Sequence, residues 1–205
     1  MRIISTALAA FAIALVACGD DSNSSGASAG KGEFVDARDN QMYKTVVIGN
    51  QTWMAQNLNY NMENSSCYND NPDNCAKYGR LYTVDAAMNA CPSGWHLPSE
   101  YEWETLMNAV GGRDVAGKML KSESGWELHN GTDEYGFTAV PAGYYDISIY
   151  DLEGKSALFL CSRDDEHLGS EYVDVVSISD RRDKVIIDAE TVRLQRRFSV
   201  RCVKD

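Results

Sequence analysis

The sequence predicts an α+β domain, and three observations carry that reading. A capped helix is written out after Ser99. Strand-like apolar runs dominate everything from Gly136 onward. Residues 34–205 are long enough to enclose a real core in one domain, and they show neither an internal linker nor a repeat.

The elements follow in order. Residues 43–48 (Tyr-Lys-Thr-Val-Val-Ile) read as a strand, Gly49-Asn50 as a two-residue turn, and 51–55 as the return strand. Residues 59–76 are Asn-rich and polar and read as a loop. Residues 78–82 form a short extended piece, and Thr83 caps a short helix over 84–89. In the main helix Ser99 is the N-cap and Glu102 the N3 partner, a capping box. Trp103, Leu106, Met107 and Val110 recur at i, i+3, i+4 and i+7 on one face, and Gly111-Gly112 ends the helix. A second helix is expected over 115–121. Strands are expected over 136–143, 156–161, 171–179, 184–188 and 197–203.

The N-terminus reads as an address. Arg2 precedes an apolar run over residues 3–16, shorter than the ~20 residues a membrane span requires and suited to a signal-peptide core. Leu15-Val16-Ala17-Cys18 looks like a bacterial lipobox. The expectation is a lipoprotein signal peptide over 1–17, lipidation of Cys18, and a flexible tether to residue 33 built from Ser, Gly, Asp, Asn and Ala without an aromatic ring. Acyl chains on Cys18 would make the membrane a partner. Asp20 and Asp21 resemble surface-export signals of some lipoproteins. The expected location is therefore the bacterial cell envelope, at the outer membrane or cell surface.

Charge and cysteine content narrow the function classes. With 19 basic against 30 acidic residues and a net charge of −11, the chain lacks the clustered cations that nucleic acid demands. Its one basic cluster, 193–201, is interleaved with apolar residues like a strand. Cys18 aside, five cysteines remain: Cys67, Cys75, Cys91, Cys161 and Cys202. An exported chain favours bridges. Spacing alone does not fix the pairing; the pairing expected is Cys67 with Cys75 across a short loop and Cys91 with Cys202 across a long one. Cys161 ends an apolar run and reads as a buried free thiol. No Cys-x-x-Cys is present, and His96, His129 and His167 are scattered, so neither a zinc site nor a cofactor is expected. Asp133, Glu134, Asp146, Asp151 and Glu153 could offer oxygens to Ca²⁺, but their spacing matches no motif and they read as solvated loops. Trp95 and His96 precede the helix cap and read as local structure.

The segments 43–58, 78–82, 91–103, 136–143 and 199–202 resemble, in order, the Fibrobacter succinogenes major paralogous domain of exported bacterial proteins. More distantly, Leu97-Pro98-Ser99-Glu100-Tyr101-Glu102-Trp103 is similar to the helix start of formylglycine-generating sulfatase-modifying enzymes, and Val200-Arg201-Cys202 to their final strand. That resemblance implies a C-type-lectin-like fold: a twisted mixed or antiparallel sheet, two helices, long loops, and terminal strands close together, which a Cys91–Cys202 bridge would suit. One departure is visible. Phe159-Leu160-Cys161-Ser162 stands where the family leads one to expect a Phe-Trp-Ser-Ser-like run, so a tryptophan is missing at Leu160.

The functional expectation is a non-catalytic binding or interaction module, with polysaccharide the first ligand class considered. Trp126, Tyr135, Tyr144, Tyr145 and Tyr150 fall in loop-rich stretches where rings can stack on a sugar or a protein partner. The Glu-Pro-Asn and Trp-Asn-Asp signatures of calcium-dependent lectins are absent. A structural envelope protein with a protein partner is the alternative. An enzyme is not expected. The redox chemistry of the formylglycine group needs a cysteine pair upstream of the last strand, and residues 165–201 hold none. Gly-x-Ser-x-Gly is also missing.

Overall fold

The computed structural model describes residues 30–162, 172–191 and 195–205. The expected signal peptide, Cys18 and all of the tether up to residue 29 lie outside the described residues, as do His167, Glu171 and Arg193. From the N-terminal side come β1 (Lys31–Val35), β2 (Met42–Ile48), β3 (Gln51–Met54) and β4 (Ser65–Ser66), then a 3-10 turn (Tyr68–Asp70) and α1 (Pro72–Tyr78). The chain continues through β5 (Leu81–Thr83), α2 (Val84–Ala87), β6 (Trp95–His96), α3 (Glu100–Ala109) and α4 (Arg113–Leu120). The rest is β: β7 (Ala142–Asp146), β8 (Ile149–Glu153), β9 (Ser156–Leu160), β10 (Tyr172–Ser179), β11 (Ile186–Thr191), β12 (Arg197–Ser199) and β13 (Val203–Lys204). The fold is α+β.

The first sheet, ordered β1-β2-β3-β13-β6, is antiparallel and brings the two ends of the domain together. The second is mixed, ordered β11-β10-β9-β7-β12-β5-β4 with β8 paired to β7. Its parallel contacts are Gly143 with Ala157 and Ser199 with Phe159.

Helix α3 starts where its caps place it. Ser99 Oγ accepts the Glu102 N–H at 3.3 Å, and Glu102 Oε2 accepts the Ser99 N–H at 2.9 Å. Its apolar stripe fills the first core cluster, where the rings of Trp53 and Trp103 lie 4.8 Å apart with Phe137 and Phe159 against them. A second cluster gathers Tyr43, Met54, Tyr82, Trp95, Phe198 and Cys202. Burying an aliphatic side chain or a phenylalanine such as Met54 or Phe198 contributes about 1.5–3 kcal/mol of transfer free energy.

Several elements differ from expectation. Four α-helices are present among the described residues, against the two that the resemblance implies and the three read from the sequence, and the added one is α1. The stretch read as a loop over 59–76 carries β4 and most of α1; Asn71 caps α1 by accepting the Asp73 N–H at 3.1 Å, but just two of its residues, Cys75 and Tyr78, are buried, so no apolar stripe marks it. Residues 136–143 are not a strand: a lone bridge joins Ala139 to Lys121, and β7 begins at Ala142. The last expected strand is split between the two sheets, as β12 and β13, with Val200-Arg201-Cys202 crossing between them. Strand β1 begins at Lys31, inside the stretch read as tether, because its backbone completes the ladder with β2.

Candidate functional site

Alternation along β9 and β10 divides the faces of the mixed sheet. Ala157, Phe159, Val176 and Ile178 point into the first core cluster. On the opposite face Ser156 sits across from Ser179, Leu158 across from Ser177, and Val175 across from Asp188 of β11. At one end that face is closed, since Leu160, Val175 and Phe198 join the second cluster. At the other it forms an open groove of about 340 Å³. Its floor grades from Leu158 and Val175 to the hydroxyls of Ser156, Ser177 and Ser179.

One wall is aromatic. The half-buried Tyr144 ring stacks on Phe198 with centroids 6.0 Å apart and planes 10° apart. The Arg196 guanidinium lies 5.6 Å from the Tyr144 centroid, and its Nε donates to Asp146 Oδ2 at 2.9 Å. The other wall is cationic: Arg181 and Arg182, both exposed, on the connection from β10 to β11. That connection is held from beneath. Lys121, buried at the end of α4, donates from Nζ to the Ser179 and His129 carbonyls at 3.2 Å each. Burial lowers the Lys121 pKa, while Asp183, 4.0 Å away, and Asp180 act to raise it. The Gly117 N–H donates to the Asp183 carbonyl at 2.7 Å, and the Val185 N–H to the Arg113 carbonyl at 3.0 Å.

The structure separates the five aromatic candidates. Tyr144 alone of them lines this groove. Tyr145 and Tyr150 pair across the β7–β8 hairpin on the opposite face, with ring centroids 4.8 Å apart. Tyr150 also packs on Tyr68, and its hydroxyl donates to Asp70 Oδ1 at 2.8 Å. Trp126 is buried at 6% exposure and donates from Nε1 to Ser122 Oγ at 3.0 Å, so it presents no face to a ligand. Tyr135 packs against the first core cluster.

The cysteines form the two expected pairs. Cys67 bonds Cys75 with Cα atoms 4.9 Å apart, and Cys91 bonds Cys202 with Cα atoms 5.9 Å apart. Cys161 is free among the described residues and buried, and burial raises its thiol pKa. His96 is local structure, between Asp205 and Glu102 at 2.7 and 2.8 Å. Three of the five acidic candidates have separate partners: Asp133 accepts the Thr138 N–H and hydroxyl, Asp146 pairs with Arg196, and Glu153 accepts the Tyr78 hydroxyl; Asp146, Asp151 and Glu153 lie in β7 and β8, not in loops. Among the described residues no group of three His, Cys, Asp or Glu side chains is arranged to hold a metal.

Sequence reasoning missed Arg201. Fully buried, it donates to Asn57 Oδ1 and to the Met54, Phe137 and Thr138 carbonyls. Burial pushes its pKa down to about 9. Asn57 and Thr138 also line a polar cleft of about 410 Å³, and Thr138 borders a neighbouring one of about 510 Å³. The single signal was a cation inside an apolar run, which also fits an exposed strand position.

An α+β domain whose two ends share one sheet, with a disulfide from Cys91 to Cys202 beside its last strand and one sheet face left open as a groove, is the class of protein that fold and site define. The Fibrobacter succinogenes major domain model matches residues 46–204, and the chain belongs to that family. Neither a curated protein nor a solved structure matches the chain.

Proposed function

We propose that this chain is a lipid-anchored, extracytoplasmic, non-catalytic module that binds polysaccharide in the groove on the mixed sheet. The observation that carries this is the open sheet face between Tyr144 and Arg181–Arg182, floored by three serine hydroxyls. A ring backed by a second ring offers an apolar plane to the C–H face of a sugar, and hydroxyl and guanidinium groups offer hydrogen bonds to its rim. Among the described residues Asp188 is the carboxylate in the lining, which does not by itself make the two-carboxylate arrangement of glycoside hydrolysis. Cys161 is a poor redox nucleophile, being buried with a raised pKa. The lipobox at Cys18 and the two disulfides support an envelope address. The shared terminal sheet and the Cys91–Cys202 bridge support reading the fold as C-type-lectin-like.

The test is retention of the full chain, in detergent, on a panel of polysaccharides, beside the Tyr144→Ala variant. Retention lost in the variant, with its melting temperature kept, supports the reading; no retention by wild type refutes it. A structural envelope role with a protein partner has its own support: Val35 and Met42 face each other across β1 and β2 and are 53% and 55% exposed, beside a sheet edge. Cross-linking from Met42 into another envelope protein would favour that second reading.

A further inference from the structure

We infer that Arg181 and Arg182 form an anion subsite, and that the polysaccharide held by the groove is an acidic, carboxylate-bearing one. This deepens the polysaccharide reading and rests on it. Three observations carry it. First, both guanidinium groups are exposed, and among the described residues no ion pair or hydrogen bond occupies either. The contrast is with Arg38, Arg113 and Arg196, which are bound to Asp36, Glu104 and Asp146. Two unpaired neighbouring cations are out of keeping with a chain of net charge −11.

Second, the two arginines border two hollows at once. Besides the groove, they line a surface hollow of about 450 Å³ with Lys118, His129 and Asn130. A cationic strip therefore continues the groove across the surface, as a polymer with repeating charge requires. Among the described residues the carboxylates that face it are Asp188 in the groove and Asp183 in the hollow, and Asp183 lies 4.0 Å from Lys121 Nζ.

Third, the strip is pre-organised. Its backbone is fastened by Lys121 at Ser179, by the Asp180 N–H to the Lys155 carbonyl, by Gly117 at Asp183, and by Arg113 at Val185. Less ordering is then left to be done when a ligand binds. A guanidinium presents paired N–H donors that match the two oxygens of a carboxylate.

The test is affinity electrophoresis of the full chain, in detergent, through gels holding polygalacturonate or a neutral glucan or galactan, with anionic phospholipid vesicles in a separate flotation assay. Stronger retardation by polygalacturonate is expected, falling about tenfold or more in Arg181→Glu/Arg182→Glu while any neutral-polymer retardation stays unchanged. Both residues are exposed; should the reversal variant melt early, Arg181→Gln/Arg182→Gln replaces it. Equal retardation by acidic and neutral polymers, or acidic retardation unchanged in the double variant, overturns the anion subsite and leaves the groove reading standing. No retardation by any polymer, including the case of binding to vesicles alone, overturns both.

Discussion

The guanidinium of Arg201 and the amide of Asn57 meet inside the protein, Nε to Oδ1 at 3.1 Å, with Arg201 fully buried and Asn57 nearly so. Asn57 turns its Nδ2 the other way, donating to the Tyr78 carbonyl at 2.9 Å. This pair joins the crossing between the sheets to the loop that carries Phe137, whose ring lies 4.5 Å from the guanidinium. Truncating Asn57 to Ala leaves a buried cation short of an acceptor. Asn57→Ala, which keeps the cation, and Arg201→Met, which leaves its neutral acceptors unpaired, are each expected to lower unfolding free energy by about 1–3 kcal/mol, read by urea denaturation. Arg201→Lys should rescue little, since one ammonium cannot reach the same set of acceptors. Loss below about 1 kcal/mol in all three would contradict this.

The disulfides differ in loop length, with sequence separations of 8 and 111. Chain-entropy arguments give about 2.5 kcal/mol for the short loop and about 5 kcal/mol for the long one. Cys91→Ser or Cys202→Ser should therefore lower the melting temperature more than Cys67→Ser. Reductant should reproduce the larger loss in wild type.

His96 makes stability pH-dependent. Burial pulls its pKa down, but the hydrogen bonds its ring donates to Asp205 and Glu102 outweigh that, and it is raised above 6.5. The folded state thus holds the proton more tightly than the unfolded chain. The contribution is complete below 6.5 and is lost as pH rises through the folded value. For Glu102, burial acts upward, but bonds from Ser99 and His96 prevail and lower its pKa below 4.5. Its contribution holds above 4.5 and is lost on acidification. Melting temperature should decline on the alkaline side in wild type, and that decline should flatten in His96→Gln.

Much of the frame was legible because its code is local. The Ser99–Glu102 capping box is four residues long, and β2 and β3 announce themselves by alternation around Gly49-Asn50. The β7–β8 hairpin was not legible: its two-residue turn is Ile147-Ser148 at φ 38° and 77°, where Asn-Gly would be the readable signal. The aromatic candidates stand out in the sequence only by their place in loop-rich stretches, and no local pattern says that Trp126 finds Ser122 while Tyr144 finds Phe198. Arg181, Arg182 and Arg201 depend on contacts between distant segments. At Leu160, where tryptophan was expected, the side chain is fully buried in the second cluster, so the change there falls on packing.

Gly117 tests how the cationic wall is held. A Cβ there would collide with the Asp183 carbonyl, which the Gly117 N–H binds. Gly117→Ala should cost about 1–3 kcal/mol by overpacking and weaken polysaccharide retention as well. Val115→Ala, exposed on the same helix, should do neither.

The most direct measurement is oxidative footprinting by mass spectrometry of the full chain with and without a saturating polysaccharide that it retains. Tyr144 should become protected, together with Leu158, while Tyr150 on the opposite face and the exposed Tyr101 should not change. Protection confined to the Tyr145–Tyr150 face, or failure of every polysaccharide to protect Tyr144, would contradict the groove as the binding site.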